Sequence, residues 1–223
     1  MQKQAVEYAL TKNVSIVTGG PGRGKTTVLN MILSVYKEFN PKDINLKEVL
    51  KFARERHSGQ KRDNGDDYIV HPMRVAKLVD KYKGKNSSNR EILLAAALLH
   101  DTLEDTYTSY RELTEKFGDY VASLVLELTT AKYACHYIGK AQYLAEKMTT
   151  MTSYALVIKL ADRYDNICDL KSSTEEKKQR TINDTCYILD YIEKNRKHIT
   201  GSQRELMKDI REKIKEYQAN ETL

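Results

Sequence analysis

Residues 91–106 read EILLAAALLHDTLEDT and decide both the fold and the chemistry of this chain. The first nine residues are almost all apolar and are strong helix formers, so they predict a buried helix. His100 and Asp101 follow at its end, and Glu104 and Asp105 come about one helical turn later. Polar groups at the end of a core helix cost desolvation free energy unless a cation or hydrogen-bond partners stabilise them. The stretch therefore predicts a metal site at the edge of a helical core.

Two further candidate ligands stand elsewhere in the chain. His71 lies in YIVHP (68–72), and Asp162 lies in VIKLADR (157–163). Pro72 is typical of a first helical turn, which places His71 at a helix start. Imidazole and carboxylate ligands suit Mn²⁺, Fe²⁺, Zn²⁺ or Mg²⁺ rather than copper or a thiolate site. The predicted ligand set is His71, His100, Asp101 and Asp162.

Length and composition indicate a soluble, folded protein with one good core. The chain has 223 residues, of which 40% are hydrophobic and 30% are charged. No apolar run is long enough to span a bilayer, and the first residues lack the apolar segment of a signal peptide. The odd cysteine count, without a CxxC pair, favours reduced thiols. We therefore expect a cytoplasmic protein that does not bind membranes.

The net charge of +6 favours an anionic partner, either a phosphorylated small molecule or a nucleic acid. Much of the excess lies in Lys-rich C-terminal segments, where a solvated helical face is the simpler interpretation. No aromatic-interleaved RNA motif or zinc finger accompanies it. The sequence thus favours a small-molecule partner, and a nucleic-acid partner is not expected.

The sequence changes character near Pro41. Residues 14–18 form a short β-like run, GGPGRGKTT (19–27) satisfies a phosphate-binding loop pattern, and 28–36 is helical. The candidate phosphate-binding residues are Gly24, Lys25 and Thr26. This segment resembles the first motifs of RecD-like superfamily 1 helicases. A working ATPase also needs a second acidic strand, which the sequence lacks, so residues 1–40 are interpreted as a truncated P-loop segment preceding a second domain at 41–223.

After Pro41 the pattern is helical almost to the end. Ser109 with Glu112 forms a capping box, and Asn89 or Ser88 is positioned to cap the apolar helix. The predicted helices are 44–57, 72–83, 89–101, 109–117, 118–131, 136–150, 153–170, 175–195 and 202–218. The fold class is therefore all-α, a helical bundle with a short N-terminal strand, P-loop and helix as an appendage.

Four blocks of this helical part carry a family resemblance. They are ARERHSGQKR (53–62), YIVHP (68–72), AALLHDTLEDT (96–106) and VIKLADRYDN (157–166). In this order and spacing they resemble the HD-domain hydrolases of the RelA/SpoT type, especially the small single-domain alarmone hydrolases. The resemblance covers residues from about 43 to 200.

The resemblance implies a helical bundle around one divalent metal, typically Mn²⁺. It implies removal of the 3′-pyrophosphate from guanosine tetra- and pentaphosphate. Glu104 and Asp105 match the acidic pair that acts on or positions the attacking water. The matching substrate-binding positions are Arg62, Tyr68, Asn166, Lys159 and Lys61, with Arg62 against the guanine. A metal-bound water has a lowered pKa and becomes hydroxide near neutral pH, which fits this chemistry.

The chain departs from the family pattern at Asp63, Asp165 and Asp169, which bears on base specificity more than on the metal site. One alternative is an HD phosphohydrolase of another nucleotide or phosphorylated cofactor. A second is a nucleotide- or nucleic-acid-binding adaptor with a degenerate HD site. The sequence leaves open the native metal, the oligomeric state and the biological role. A synthetase domain is not expected within this length.

Overall fold

The computed structural model describes residues 44–83, 87 and 89–220. The chain divides into two units, Met1–Asp43 and Ile44–Leu223, and all described residues belong to the second unit. The predicted N-terminal strand, P-loop and helix, with Gly24, Lys25 and Thr26, lie outside the described residues.

The described part is helical, as the sequence predicts. Its only β-type pairing among the described residues is an isolated bridge between Lys61 and Asp67. The helices are α1 (Leu46–Arg56), α2 (Val70–Lys83), α3 (Arg90–Leu99), α4 (Thr102–Asp105), α5 (Tyr110–Phe117), α6 (Asp119–Leu128), α7 (Lys132–Ile138), α8 (Lys140–Thr150), α9 (Ser153–Cys168), α10 (Glu175–Asn195) and α11 (Gly201–Asn220), with a 3-10 turn at Asp169–Ser172. None of the described helices is long and apolar enough to cross a membrane.

Side-chain caps explain where several helices begin. Ser109 Oγ accepts a hydrogen bond from Glu112 N, as the capping-box pattern predicts. Thr152 and Thr174 cap α9 and α10 in the same way. Asn89 behaves differently from the prediction, because its side chain makes no capping bond and instead donates to Tyr154 Oη at 3.0 Å.

Two predicted helices are interrupted. The predicted helix 89–101 ends at Leu99, and Asp101 is the N-cap residue directly before the short helix α4. The predicted helix 136–150 is divided at Gly139, whose φ of 86° lies in the left-handed region that favours glycine. A separate helix, α7, therefore precedes α8, and it contributes no buried side chain.

Helix α3 forms the centre of the bundle. Every side chain from Ile92 to Leu99 is buried, which confirms the predicted core helix. It packs against α1, α2 and α6, while α9 packs against α2 and α11. Apolar burial on all faces fixes the position of α3, and His100 follows directly at its C-terminal end. The core thereby places a polar cluster between the end of α3 and the neighbouring helices α2 and α9.

Candidate active site

Three helices bring two imidazoles and a carboxylate together. His71 lies in the first turn of α2, His100 follows α3, and Asp162 lies in α9. One potential ligand atom from each lies within 4.8 Å of the others, and all three residues are buried. His71 Nε2 is 3.3 Å from Asp162 Oδ1, and His100 Nε2 is 3.9 Å from the same oxygen. Ligands bound at about 2.0–2.2 Å to one ion lie roughly 3–4 Å apart, so these separations suit a shared metal.

Asp101 approaches the same cluster. Its Oδ2 lies 3.0 Å from His100 Nε2 and 3.6 Å from His71 Nε2. Tyr68 Oη donates a hydrogen bond to this oxygen at 2.6 Å, which orients the carboxylate. The structure therefore brings all four predicted ligands to one place, although the tightest group is formed by His71, His100 and Asp162.

Hydrogen bonds at the far side of each imidazole orient it toward the cluster. His71 Nδ1 lies 2.7 Å from Asp165 Oδ2, and His100 Nδ1 lies 2.8 Å from Ala97 O. Because a carboxylate and a carbonyl only accept hydrogen bonds, each Nδ1 donates, and each imidazole in its neutral form presents its Nε2 lone pair to the cluster. His100 Nε2 is buried and has no hydrogen-bond partner among the described residues. The Nε2 atoms and carboxylate oxygens that face one another here fit the ligand set of a divalent metal ion.

The electrostatics of the cluster favour a cation. Burial alone would lower the pKa of His71, but hydrogen bonds with Asp162 and Asp165 outweigh it and raise that pKa to about 9. Burial would raise the pKa of Asp162, yet the charges of Lys159 and the histidines hold it well below its usual range. Lys159 Nζ is 3.0 Å from Asp162 Oδ2, and both residues are buried. The cluster thus attracts positive charge, whether proton or metal ion.

The two residues of the acidic pair have different surroundings. Glu104 lines the cavity described below, and its Oε2 accepts a hydrogen bond from Thr130 N at 2.8 Å. Asp105 Oδ1 lies 3.0 Å from Lys132 Nζ at the protein surface. Gln60 Nε2 donates to the backbone oxygen of Asp105 at 2.8 Å and fixes the backbone at the end of α4. The structure therefore places Glu104, rather than Asp105, at the cavity.

Hydrogen bonds hold Arg62 beside the cluster of candidate metal ligands. Arg62 Nε donates to Asp169 Oδ2 at 2.9 Å, and an Arg62 terminal nitrogen donates to Asn166 Oδ1 at 3.1 Å. Asn166 Nδ2 in turn donates to Asp162 Oδ1 at 2.6 Å. The Arg62 guanidinium carbon lies 5.8 Å from the centre of the Tyr68 ring. Arg62, Tyr68 and Asn166 thus form one continuous group with the cluster.

A cavity of about 370 Å³ opens beside the cluster. The predicted site residues at its wall are Lys61, Arg62, Tyr68, His71, Asp101, Glu104, Lys159, Asp162 and Asn166. Lys61 is half exposed and pairs with Asp67 at 2.7 Å, so it stands at the rim. Further basic residues at the wall, not singled out from the sequence, are Lys140, Arg163 and Lys177. The cavity therefore combines the cluster of candidate metal ligands with six basic side chains, and Asp63 and Asp169 also line it.

Arg163 is the most unusual of these additional residues. It is only 9% exposed, and burial lowers the pKa of its guanidinium. The structure gives it no hydrogen bond or ion pair with any described residue. The charges of Asp162 and Asp184 favour the charged form of Arg163, and a guanidinium at the cavity wall without a hydrogen-bonded carboxylate is placed to bind an anionic ligand. In the sequence, the sign that Arg163 belongs to the site was its position directly after the predicted ligand Asp162.

Comparisons with known proteins identify the family to which the chain is similar. The model of the HD domain family matches residues 49–197. A guanosine-3′,5′-bis(diphosphate) 3′-pyrophosphohydrolase of Aquifex aeolicus is 37% identical over 153 residues, which are 64% of this chain and 20% of that protein. The bifunctional (p)ppGpp synthase/hydrolase SpoT of Escherichia coli is 32% identical over 167 residues, 72% of this chain and 23% of that protein. The chain thus spans about a fifth of the length of these curated relatives.

A solved structure shares the fold. It is described as a metazoan orthologue of SpoT that hydrolyses ppGpp, and it is 26% identical with a TM-score of 0.60. The similarity covers 73% of this chain and 93% of the solved chain. The family match begins at residue 49 and gives no support to the likeness of residues 1–40 to a helicase. Since that match extends over more than half of its length, this chain belongs to the HD domain family.

Proposed function

We propose that the chain is a metal-dependent phosphohydrolase that removes the 3′-pyrophosphate from guanosine 3′,5′-polyphosphates, giving GDP or GTP and pyrophosphate. The observation that carries this proposal is the buried cluster of His71, His100, Asp101 and Asp162 at the wall of a basic cavity. The activity named for the Aquifex aeolicus relative and for the metazoan orthologue supports the choice of substrate.

In the proposed site, His71, His100, Asp101 and Asp162 hold the ion, which we take to be Mn²⁺. When bound, such an ion lowers the pKa of a water molecule and shields phosphate charge. Glu104 has one carboxylate oxygen engaged by Thr130 N, and no described residue occupies the other. We assign to this second oxygen the acceptance of a proton from the attacking water.

The basic residues of the cavity bind the polyphosphate in this proposal. Arg62 carries a planar guanidinium beside Tyr68, and such a plane can stack on a purine while remaining charged. Asn166 lies next to it at the metal cluster. Lys159 is paired with Asp162 inside the site, and Lys61 stands at the rim. We also propose a cytoplasmic location, where this substrate class would be encountered.

A substrate panel tests the proposal. With Mn²⁺ present, the purified chain is expected to release pyrophosphate from guanosine tetraphosphate faster than it releases phosphate from other nucleotides. The comparison set contains 2′- and 3′-phosphorylated cofactors and deoxynucleoside triphosphates, measured by ion chromatography of the products. Release from one of these alone would favour the alternative of an HD phosphohydrolase with another substrate. No release from any of them, with nucleotide binding retained, would favour the adaptor alternative.

Arg163→Gln is expected to weaken substrate binding while leaving the metal in place. A hydrogen bond to a charged group contributes about 1.5–3 kcal/mol, so the loss predicts a rise in KM of roughly 10- to 100-fold. Initial rates over a range of guanosine tetraphosphate concentrations measure it. The control is Arg204→Gln, which changes an exposed arginine on α11 away from the cavity. Equal KM values for the two variants would exclude a substrate-binding role for Arg163.

We propose that residues 1–40 form a truncated P-loop segment that precedes the hydrolase domain at 41–223 and does not hydrolyse ATP by itself, with Gly24, Lys25 and Thr26 as its phosphate-binding residues. Phosphate release from ATP in the presence of Mg²⁺, lost in Lys25→Ala, would contradict this proposal.

A further inference from the structure

Asp165 contacts the side of His71 that faces away from the cluster. It lies in α9, is buried, and receives the Nδ1 hydrogen of His71 at 2.7 Å. Burial would raise the pKa of Asp165, but the hydrogen bonds from His71 and Arg74 hold it below its usual range. A carboxylate behind a metal-bound imidazole fixes the orientation of the ring and its tautomer. Asp165 is therefore placed to aim His71 Nε2 at the cluster.

Arg74 joins Asp165 to a second carboxylate. It lies on α2 three residues after His71, on the same face of the helix. Arg74 Nε donates to Asp165 Oδ1 at 2.6 Å, and a terminal nitrogen donates to Asp165 Oδ2 at 3.0 Å. The same terminal nitrogen donates to Asp169 Oδ2 at 2.6 Å. This forked geometry is available to arginine and not to lysine.

Asp169 links Arg74 to Arg62, which lies on the substrate side of the cavity. Its Oδ2 also accepts from Arg62 Nε at 2.9 Å. Arg62 then donates to Asn166, which donates to Asp162. The hydrogen bonds thus run without interruption from one proposed metal ligand to another. In order, they join His71, Asp165, Arg74, Asp169, Arg62, Asn166 and Asp162.

We propose that Arg74 is a positioning residue that orients the metal ligand His71 and the cavity residue Arg62 together, by bridging Asp165 and Asp169. The proposal rests on the proposed metal site. Without Arg74, Asp165 loses two of its three hydrogen bonds and Asp169 loses one of its two arginine partners. Both His71 and Arg62 then lose the support that fixes their orientation, so metal affinity and substrate affinity change together.

Calorimetric titration of the metal-free chain with Mn²⁺ alone tests the expected effect of Arg74 on metal affinity. Loss of a group that supports a metal ligand typically costs about 10- to 100-fold in metal affinity, and we expect this for Arg74→Gln and Asp165→Asn. Arg74→Lys keeps the positive charge but cannot make the forked hydrogen bonds, and it is expected to bind Mn²⁺ with intermediate affinity. If Arg74→Gln does not fold, the Arg74→Lys variant still tests the proposal. Asp169→Asn is expected to raise KM more than the Mn²⁺ dissociation constant, because Asp169 contacts Arg62 and Arg74 but neither His71 nor Asp165.

The matched control is Arg90→Gln. Arg90 makes a similar forked pair with Asp80 and has a similar side-chain exposure, 34% against 33% for Arg74, but it does not line the cavity. Circular dichroism and thermal unfolding accompany each titration. A fall in Tm for the Arg74 variants with wild-type Mn²⁺ affinity and KM would show a merely structural role and overturn the proposal. Failure of the wild-type chain to bind Mn²⁺ would overturn the proposed metal site as well.

Discussion

Asp101→Asn is expected to lose pyrophosphate release and Mn²⁺ binding while keeping its fold. The amide has nearly the same size as the carboxylate and can still accept the hydrogen bond from Tyr68. It lacks the negative charge that the cluster needs to hold a cation. Metal activation of water contributes several kcal/mol, so kcat should fall by about 10³-fold or more. Initial rates with guanosine tetraphosphate and the metal content by mass spectrometry measure the two losses.

The control for this change is Asp190→Asn. Asp190 is an exposed acid on α10 that pairs with Arg211 at 2.8 Å, so its loss removes a surface charge without touching the cavity. Its kcat and metal content should equal those of the wild type. If Asp101→Asn also retained the wild-type rate, the assignment of Asp101 to the metal cluster would be wrong.

Glu104→Gln is expected to lower kcat while leaving Mn²⁺ affinity unchanged. The variant keeps an oxygen that can accept from Thr130 N, but it cannot take a proton from water. General base catalysis contributes about 10²- to 10⁴-fold, and a loss in this range is the expected result. Glu104 is not one of the four proposed ligands and its Oε2 is bonded to Thr130 N, which is why binding of the ion should persist.

Asp101→Asn is expected to lose both kcat and Mn²⁺ affinity, whereas Glu104→Gln is expected to lose only kcat, and this difference separates the roles of the two residues. Steady-state rates and Mn²⁺ titrations on the same preparations provide both quantities. Glu115→Gln is the matched control, because Glu115 is an exposed acid that pairs with Arg111 within α5. A Glu104→Gln variant with parallel losses of kcat and Mn²⁺ affinity would make Glu104 a ligand rather than a base. Unchanged kcat would remove it from the reaction.

The helical fold was accessible from the sequence because apolar periodicity and capping residues are local signals. The run before His100 contains almost nothing but strong helix formers, and its complete burial follows from that composition. The division at Gly139 was missed, since an isolated glycine within a helical pattern is tolerated at a cost of about 1 kcal/mol relative to alanine and does not by itself end a helix. Asn89 or Ser88 was expected to cap α3; the Asn89 side chain instead bonds to Tyr154, a residue distant in sequence, and Ser88 lies outside the described residues.

The candidate site was accessible only in part. His71, His100, Asp101 and Asp162 come from motifs in which residue type and spacing carry the signal, and the structure brings them together. The different surroundings of Glu104 and Asp105 depend on Lys132, which pairs with Asp105. Lys132 lies on α7, a helix that the sequence did not predict as a separate element.

The supporting residues of the site were beyond the reach of the sequence. The connection from Asp165 through Arg74 to Asp169 joins α2 with the end of α9, so only tertiary packing reveals it. The burial of Arg163 at the cavity wall is likewise a property of the packed helices. Such contacts leave no local pattern, because their partners are far apart in the chain.

The most direct test of the account is anomalous X-ray diffraction, at the manganese absorption edge, from crystals of the chain supplied with Mn²⁺. The account predicts one strong peak within coordination distance of His71 Nε2, His100 Nε2 and the carboxylates of Asp101 and Asp162. A map without a peak among these four side chains, from protein that still releases pyrophosphate, would contradict it.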